Sequence, residues 1–249
     1  MADLPDVGIR RQAVIQALAW GAFAASSLIV GGALGLARAW PDRVVGLVLA
    51  FGAGALISAV SFDLAEEGVE LGGGAAVAFG LGAGALTYFV LDRAVERLGG
   101  GGEAESGGAA LALGSLLDGI PEQMVLGIGL AAGEGVGVGL LVAIFVSNLP
   151  EAIGATTELR AAGRGRGTIW RLWIGVAGAC TVAAGAGYAL ADSTGGELHG
   201  AINGFAAGAL LVMLVDSMIP DAASKARQAA GLVTVLGFAL AAGLSGASG

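Results

Sequence analysis

Histidine and cysteine occur once each in the 249 residues, proline five times, and aromatic side chains make up 6%. The lone Cys180 excludes an intrachain disulfide framework; set in an apolar segment, it reads as packing. With a single imidazole there is no His-Glu-x-x-His pair and no Ser/His dyad, and no Ser/Lys dyad falls at membrane depth, so the common hydrolase signatures are missing and an enzyme is not expected. His199 precedes the seventh apolar segment and is expected as a solvated loop residue. Charge is scarce as well: 13% of the residues are Asp, Glu, Lys or Arg, against about 25% in an average soluble domain. The net charge of -8 does not describe an acidic coat, because many acids lie within or beside apolar stretches. Nucleic acid is not an expected partner.

What the chain has in abundance is apolar and small. Hydrophobic residues make up 56% and glycine supplies 47 positions, many inside apolar runs, such as Gly80, Gly82 and Gly84, then Gly127, Gly129 and Gly133. In lipid that composition means close helix contact through small faces. A span takes about 20 mostly apolar residues, and the runs divide into eight: 12–36, 41–65, 74–92, 109–132, 136–159, 168–191, 200–222 and 229–246. The expectation is one all-α polytopic membrane domain over 1–249. Pro41-Asp42, Gly72 to Gly74 and the interleaved Gly163 to Gly167 punctuate the runs. Gly99 to Gly102 with Glu103, Glu105 and Ser106 reads as the longest loop.

Eight spans sort the basic residues by side. Arg38, Arg43, Arg93, Arg97, Arg160, Arg164, Arg166, Arg171, Lys225 and Arg227 fall on one side, and Arg10 and Arg11 on the other. Cytoplasmic loops hold the excess, so both termini are expected outside a cell (inner) membrane. A repeat is visible too: Phe51-Gly-Ala-Gly-Ala-Leu56 matches Phe205-Ala-Ala-Gly-Ala-Leu210. The first lies in an outward span and the second in an inward one, as inverted repeats of three helices around a central pair require.

The central pair carries the chemistry. Asp118-Gly-Ile-Pro121-Glu122 and Ser147-Asn148-Leu-Pro150-Glu151 share the pattern polar-x-x-Pro-Glu. Residues four apart lie on one helix face, so Asp118 is aligned with Glu122 and Ser147 with Glu151. Each proline removes a backbone hydrogen bond and can free a carbonyl one turn earlier, at Leu117 or Val146. A charged group at mid-bilayer costs about 2.5–3.5 kcal/mol on insertion scales, and no Lys, Arg or His lies between Arg97 and Arg160. The acids are therefore protonated, hydrated, or neutralised by an external cation, and a divalent ion satisfies several carboxylates together. Asp63, Glu66 and Glu67 at the outer end of span two, and Asp216, Met218 and Asp221 toward the inner end of span seven, extend the line into a pathway.

These two Pro-Glu helices resemble spans four and five of the ZIP (Zrt/Irt-like protein) metal transporters, whose motif in each is His-Asn-x-Pro-Glu-Gly. Pro121, Glu122, Asn148, Pro150 and Glu151 match. Asp118 and Ser147 stand at the histidine positions, Gly119 at the first asparagine, and Gln123 and Ala152 at the glycines. The resemblance implies eight spans in a 3+2+3 inverted arrangement, outer termini, a homodimer, and inward transport of a divalent metal. Its central site would comprise Asp118, Glu122, Ser147, Asn148 and Glu151. Zinc, manganese, iron(II) and cadmium are the candidate substrates, and the oxygen-only ligand set favours harder ions than an imidazole site does. Span six has no interior carboxylate, which argues against a two-metal centre. No prosthetic group is expected, and lipid is the surrounding partner. The alternatives are a proton-coupled carrier of another solute, with the acids as relays, and a non-transporting metal-sensing membrane protein.

Overall fold

A computed structural model describes residues 4–99, 104–131 and 138–248. Among these residues every regular element is helical and there is no strand. The chain runs through α1 (Leu4–Ala37), α2 (Asp42–Gly72), α3 (Gly74–Gly99), α4 (Ala104–Ala131), α5 (Val138–Ala161), α6 (Arg166–Asp192), α7 (Glu197–Ala226) and α8 (Ala229–Ser248). Gly73, Gly163 and Gly196 take positive φ at three of the breaks, where a Cβ would be strained. Helix α4 starts at Ala104, so Glu105 and Ser106 are helical and not part of the expected loop. Gly100 to Glu103, and 132–137 with Gly133 and the facing ends of spans four and five, lie outside the described residues.

Six of these helices, α1, α2, α3, α5, α6 and α7, are long and apolar enough to cross a membrane. Helix α4 has the length, but Asp118, Glu122 and Gln123 interrupt its apolar middle. Helix α8 is apolar over Ala229–Ser245.

Two associations organise the rods. Helix α3 packs along α7 and α8 along α2, while α1 packs on α5 and α6, and α6 on α4. Helices α2 and α5 join the two groups, with α4 touching α7 more lightly. The contacts are close because glycine allows them: a methyl group on Gly54 would overlap the Thr234 carbonyl, and one on Gly208 would overlap the Leu81 carbonyl. In return Gly237 lies on the Phe51 carbonyl and Gly84 on the Phe205 carbonyl. The α1–α5–α6 group is centred on the fully buried Trp173, whose Nε1 donates to Thr156 Oγ1 at 2.7 Å.

Both α2 and α7 contain a π-helical stretch, Val60–Glu66 and Leu214–Met218. Each begins nine residues after the phenylalanine of its Phe-x-Ala-Gly-Ala-Leu motif. A π turn inserts one extra residue and rotates everything beyond it, and such turns concentrate at functional positions.

Candidate cation pathway

Pro121 and Pro150 sit inside unbroken helices α4 and α5, and the expected site is built on both sides of them. Asp118 and Glu151 line one cavity of about 360 Å³, together with Ser115, Ser217, Asp221 and Lys225. Asp92, Val95 and Glu158 also line it, so it runs toward the end of the molecule that carries Arg93, Arg97 and Arg160. Tyr88 on α3 donates its hydroxyl to Asp118 Oδ1. The same tyrosine borders an apolar groove of about 520 Å³ between α3, α4 and α7.

Glu122 and Ser147 are placed elsewhere. Both are buried, away from the cavity wall, and Ser147 Oγ donates to Glu122 Oε1 at 3.1 Å. Glu122 Oε2 and Asn148 Nδ2 have no hydrogen-bond partner. The five expected ligands therefore divide into a pair on the cavity, Asp118 and Glu151, and a sealed group, Glu122, Ser147 and Asn148. Asp118, Glu122 and Asp221 all lie within electrostatic reach of Glu151. Among the described residues no three His, Cys, Asp or Glu side chains converge closely enough to hold a metal ion.

The flanking acids do not all reach the cavity. Asp221 lines the cavity, whereas Asp216 is exposed off its wall and Met218 is buried in the apolar core. Within the π-helical Leu214–Met218 it is Ser217, not Asp216, that lines the cavity. At the other end of α2, Asp63 and Glu67 are half-buried and Glu66 is exposed. His199 is not a solvated loop residue: α7 begins at Glu197, and the imidazole is buried one turn before the buried Asn203. Gln123 is fully buried with neither amide atom bonded.

Several wall residues were missed by motif reasoning. Glu151, Gly154 and Glu158 follow the i, i+3, i+7 spacing of one helix stripe, a pattern that marks Glu158. Tyr88 and Asp92, four apart on α3, and Asp221 and Lys225, four apart on α7, carry the same signal. Tyr88, Asp92 and Glu158 carried no reading from the sequence, and Lys225 entered only as one of the basic residues that set the orientation. The expectation that no basic side chain serves the central acids also changes, because Lys225 reaches the cavity that holds Asp118 and Glu151.

The fold and its long apolar helices define a membrane-embedded, all-helical protein. No protein-family model matches the chain, and no curated protein matches it.

Proposed function

We propose that this protein is a ZIP-like transporter that moves divalent metal cations across a cell membrane toward the cytoplasm by alternating access. The observation that carries the proposal is the acidic cavity, in which two Pro-Glu helices set Asp118 and Glu151 at the inner end of an open path. Five acids and one lysine line that path, a charge balance suited to a cation and costly in lipid without one. Carboxylate and hydroxyl oxygens on the wall suit manganese(II), and iron(II), zinc and cadmium remain candidates.

Eight spans and an inverted repeat belong to the same proposal. The two copies of the Phe-x-Ala-Gly-Ala-Leu motif make equivalent contacts: Gly54 and Gly208 each meet a carbonyl of the partner helix, and each copy's phenylalanine carbonyl receives a glycine. The offset that carries Phe51 to Phe205 also carries Asp63 to Ser217 and Glu67 to Asp221. On this symmetry the inner wall residues Ser217 and Asp221 have Asp63 and Glu67 as outer counterparts. Alternation then occurs between the α1/α4/α5/α6 group and the α2/α3/α7/α8 group, and brings Glu122, Ser147 and Asn148 to an outward path as Asp118 and Glu151 close. The arginine-rich end is cytoplasmic on this reading.

The experiment is manganese(II) uptake into proteoliposomes by the wild type and by the double variant Asp118→Asn/Glu151→Gln. Uptake by the wild type that the variant lacks is expected; equal uptake by both removes the site. The sealed position of Glu122 favours a second reading, a proton-coupled carrier in which that acid is a relay. Stoichiometric metal binding by the purified protein counts against that reading, and solute-driven proton flux without metal binding counts for it.

A further inference from the structure

Lys225 enters the acidic cavity from an unexpected direction. Its Cβ is wedged on α2, where a Cβ at Gly46 would lie 2.6 Å away. Its ammonium nitrogen bonds Asp221 Oδ2 at 2.6 Å and stands 3.9 Å from the place of a Cβ on Gly154 of α5. Gly154 follows Glu151 by one turn. The side chain thus reaches from the α2/α7 group to the helix that carries a central carboxylate. Among the described residues lining this cavity it is the only basic one, facing Asp92, Asp118, Glu151, Glu158 and Asp221.

A surface i, i+4 ion pair of this kind contributes little to stability by itself, and its position suggests another use. A lysine ammonium is a compact charge on a flexible stem, and the 360 Å³ of the cavity leaves it room to move. A divalent ion arriving at Asp118 and Glu151 meets that positive charge on its way to the arginine-rich end. The repeat offset places Leu71 where Lys225 stands, so the repeat-related position carries no charge.

We infer that Lys225 is a tethered counter-cation that competes with the transported metal for the inner carboxylates and speeds its release on that side. The inference rests on the proposed passage of divalent cations through this cavity. Removing the charge leaves the metal better held and slower to leave. Keeping the charge on a different head group preserves release.

The test is titration of the purified full-length protein with manganese(II) alone, combined with uptake into proteoliposomes. Lys225→Met retains most of the stem and loses the charge. It is expected to bind manganese(II) roughly tenfold more tightly, by the interaction of charges across a few ångströms at a protein surface, with a reduced maximal uptake rate. Lys225→Arg is expected to match the wild type in both, which separates charge from packing. If Lys225→Met equals the wild type in affinity and rate, or if Lys225→Arg behaves as Lys225→Met, the inference is overturned. Loss of binding in Asp118→Asn/Glu151→Gln together with an unchanged Lys225→Met overturns it alone. Unchanged binding in that double variant overturns the transport site beneath it, and the inference falls with it.

Discussion

Ser147 Oγ donates to Oε1 of Glu122 at 3.1 Å and also reaches the Ile144 carbonyl at 3.0 Å, tying α5 to α4 close to both prolines. Glu122 is 1% exposed and its second oxygen has no partner, so the buried acid leans on this hydroxyl. Ser147→Ala is expected to lower stability by about 1 kcal/mol, the usual net worth of such a bond. Thermal unfolding in detergent, followed by loss of the monodisperse gel-filtration peak, measures it. An unchanged midpoint would show that the acid gains nothing from the serine.

Tyr88 plays the comparable part for Asp118, the acid that lines the cavity. Tyr88→Phe keeps the ring against the apolar groove and removes only the donor. The carboxylate then loses the bond that fixes its orientation, and binding must supply the lost order. Half-maximal uptake is expected to need roughly fivefold more manganese(II), the equivalent of about 1 kcal/mol, with little change in the maximal rate. A lower maximal rate at unchanged half-saturation would place the hydroxyl in the conformational step instead.

The apolar runs and their breaks were legible because lipid demands long uninterrupted helices, and the glycine punctuation read at Gly73 and Gly163 falls where the chain turns. The two Pro-Glu helices were legible for the same reason: an acid inside such a run stands out by its cost. Which acids share a space was not legible. Four-residue spacing aligns Asp118 with Glu122, yet Asp118 faces the cavity and Glu122 is sealed beside Ser147, because the two are divided between neighbours that sequence spacing does not name. The π turns were invisible as well. Nothing in Leu214–Met218 announces a π turn, and it lies where Ser217 and Asp221 face the path while Asp216 does not. His199 was misplaced by a boundary shift of a few residues, since α7 starts at Glu197.

The glycine contacts give a paired test of the repeat. Gly54→Ala and Gly208→Ala each drive a methyl group into a neighbouring backbone carbonyl, whereas a Cβ at Gly82 meets open space. Overpacking of this kind costs about 1–3 kcal/mol, and the two motif variants are expected to lose similar amounts. Gly82→Ala is expected to be neutral or slightly stabilising, through helix propensity. Unfolding midpoints of the three variants decide it: unequal losses at Gly54 and Gly208 would mean that the repeated motif does not repeat its packing.

Gln123 offers a sharper choice between stability and use. It is fully buried, its amide oxygen and nitrogen are both unbonded, and its neighbours include Gly21 of α1. A buried amide without partners costs about 1–3 kcal/mol on mutational scales, while methionine fills nearly the same volume and needs no bonds. Gln123→Met is therefore expected to raise the unfolding midpoint. The preceding residue is Glu122, one of the sealed ligands, so a shift of this turn toward an outward path would move the amide with it. A variant that gains stability and keeps full manganese(II) uptake would make Gln123 a tolerated defect. Gain of stability with loss of uptake is the expected result, because an unsatisfied polar group in a core of small apolar residues is retained only where another state of the protein satisfies it.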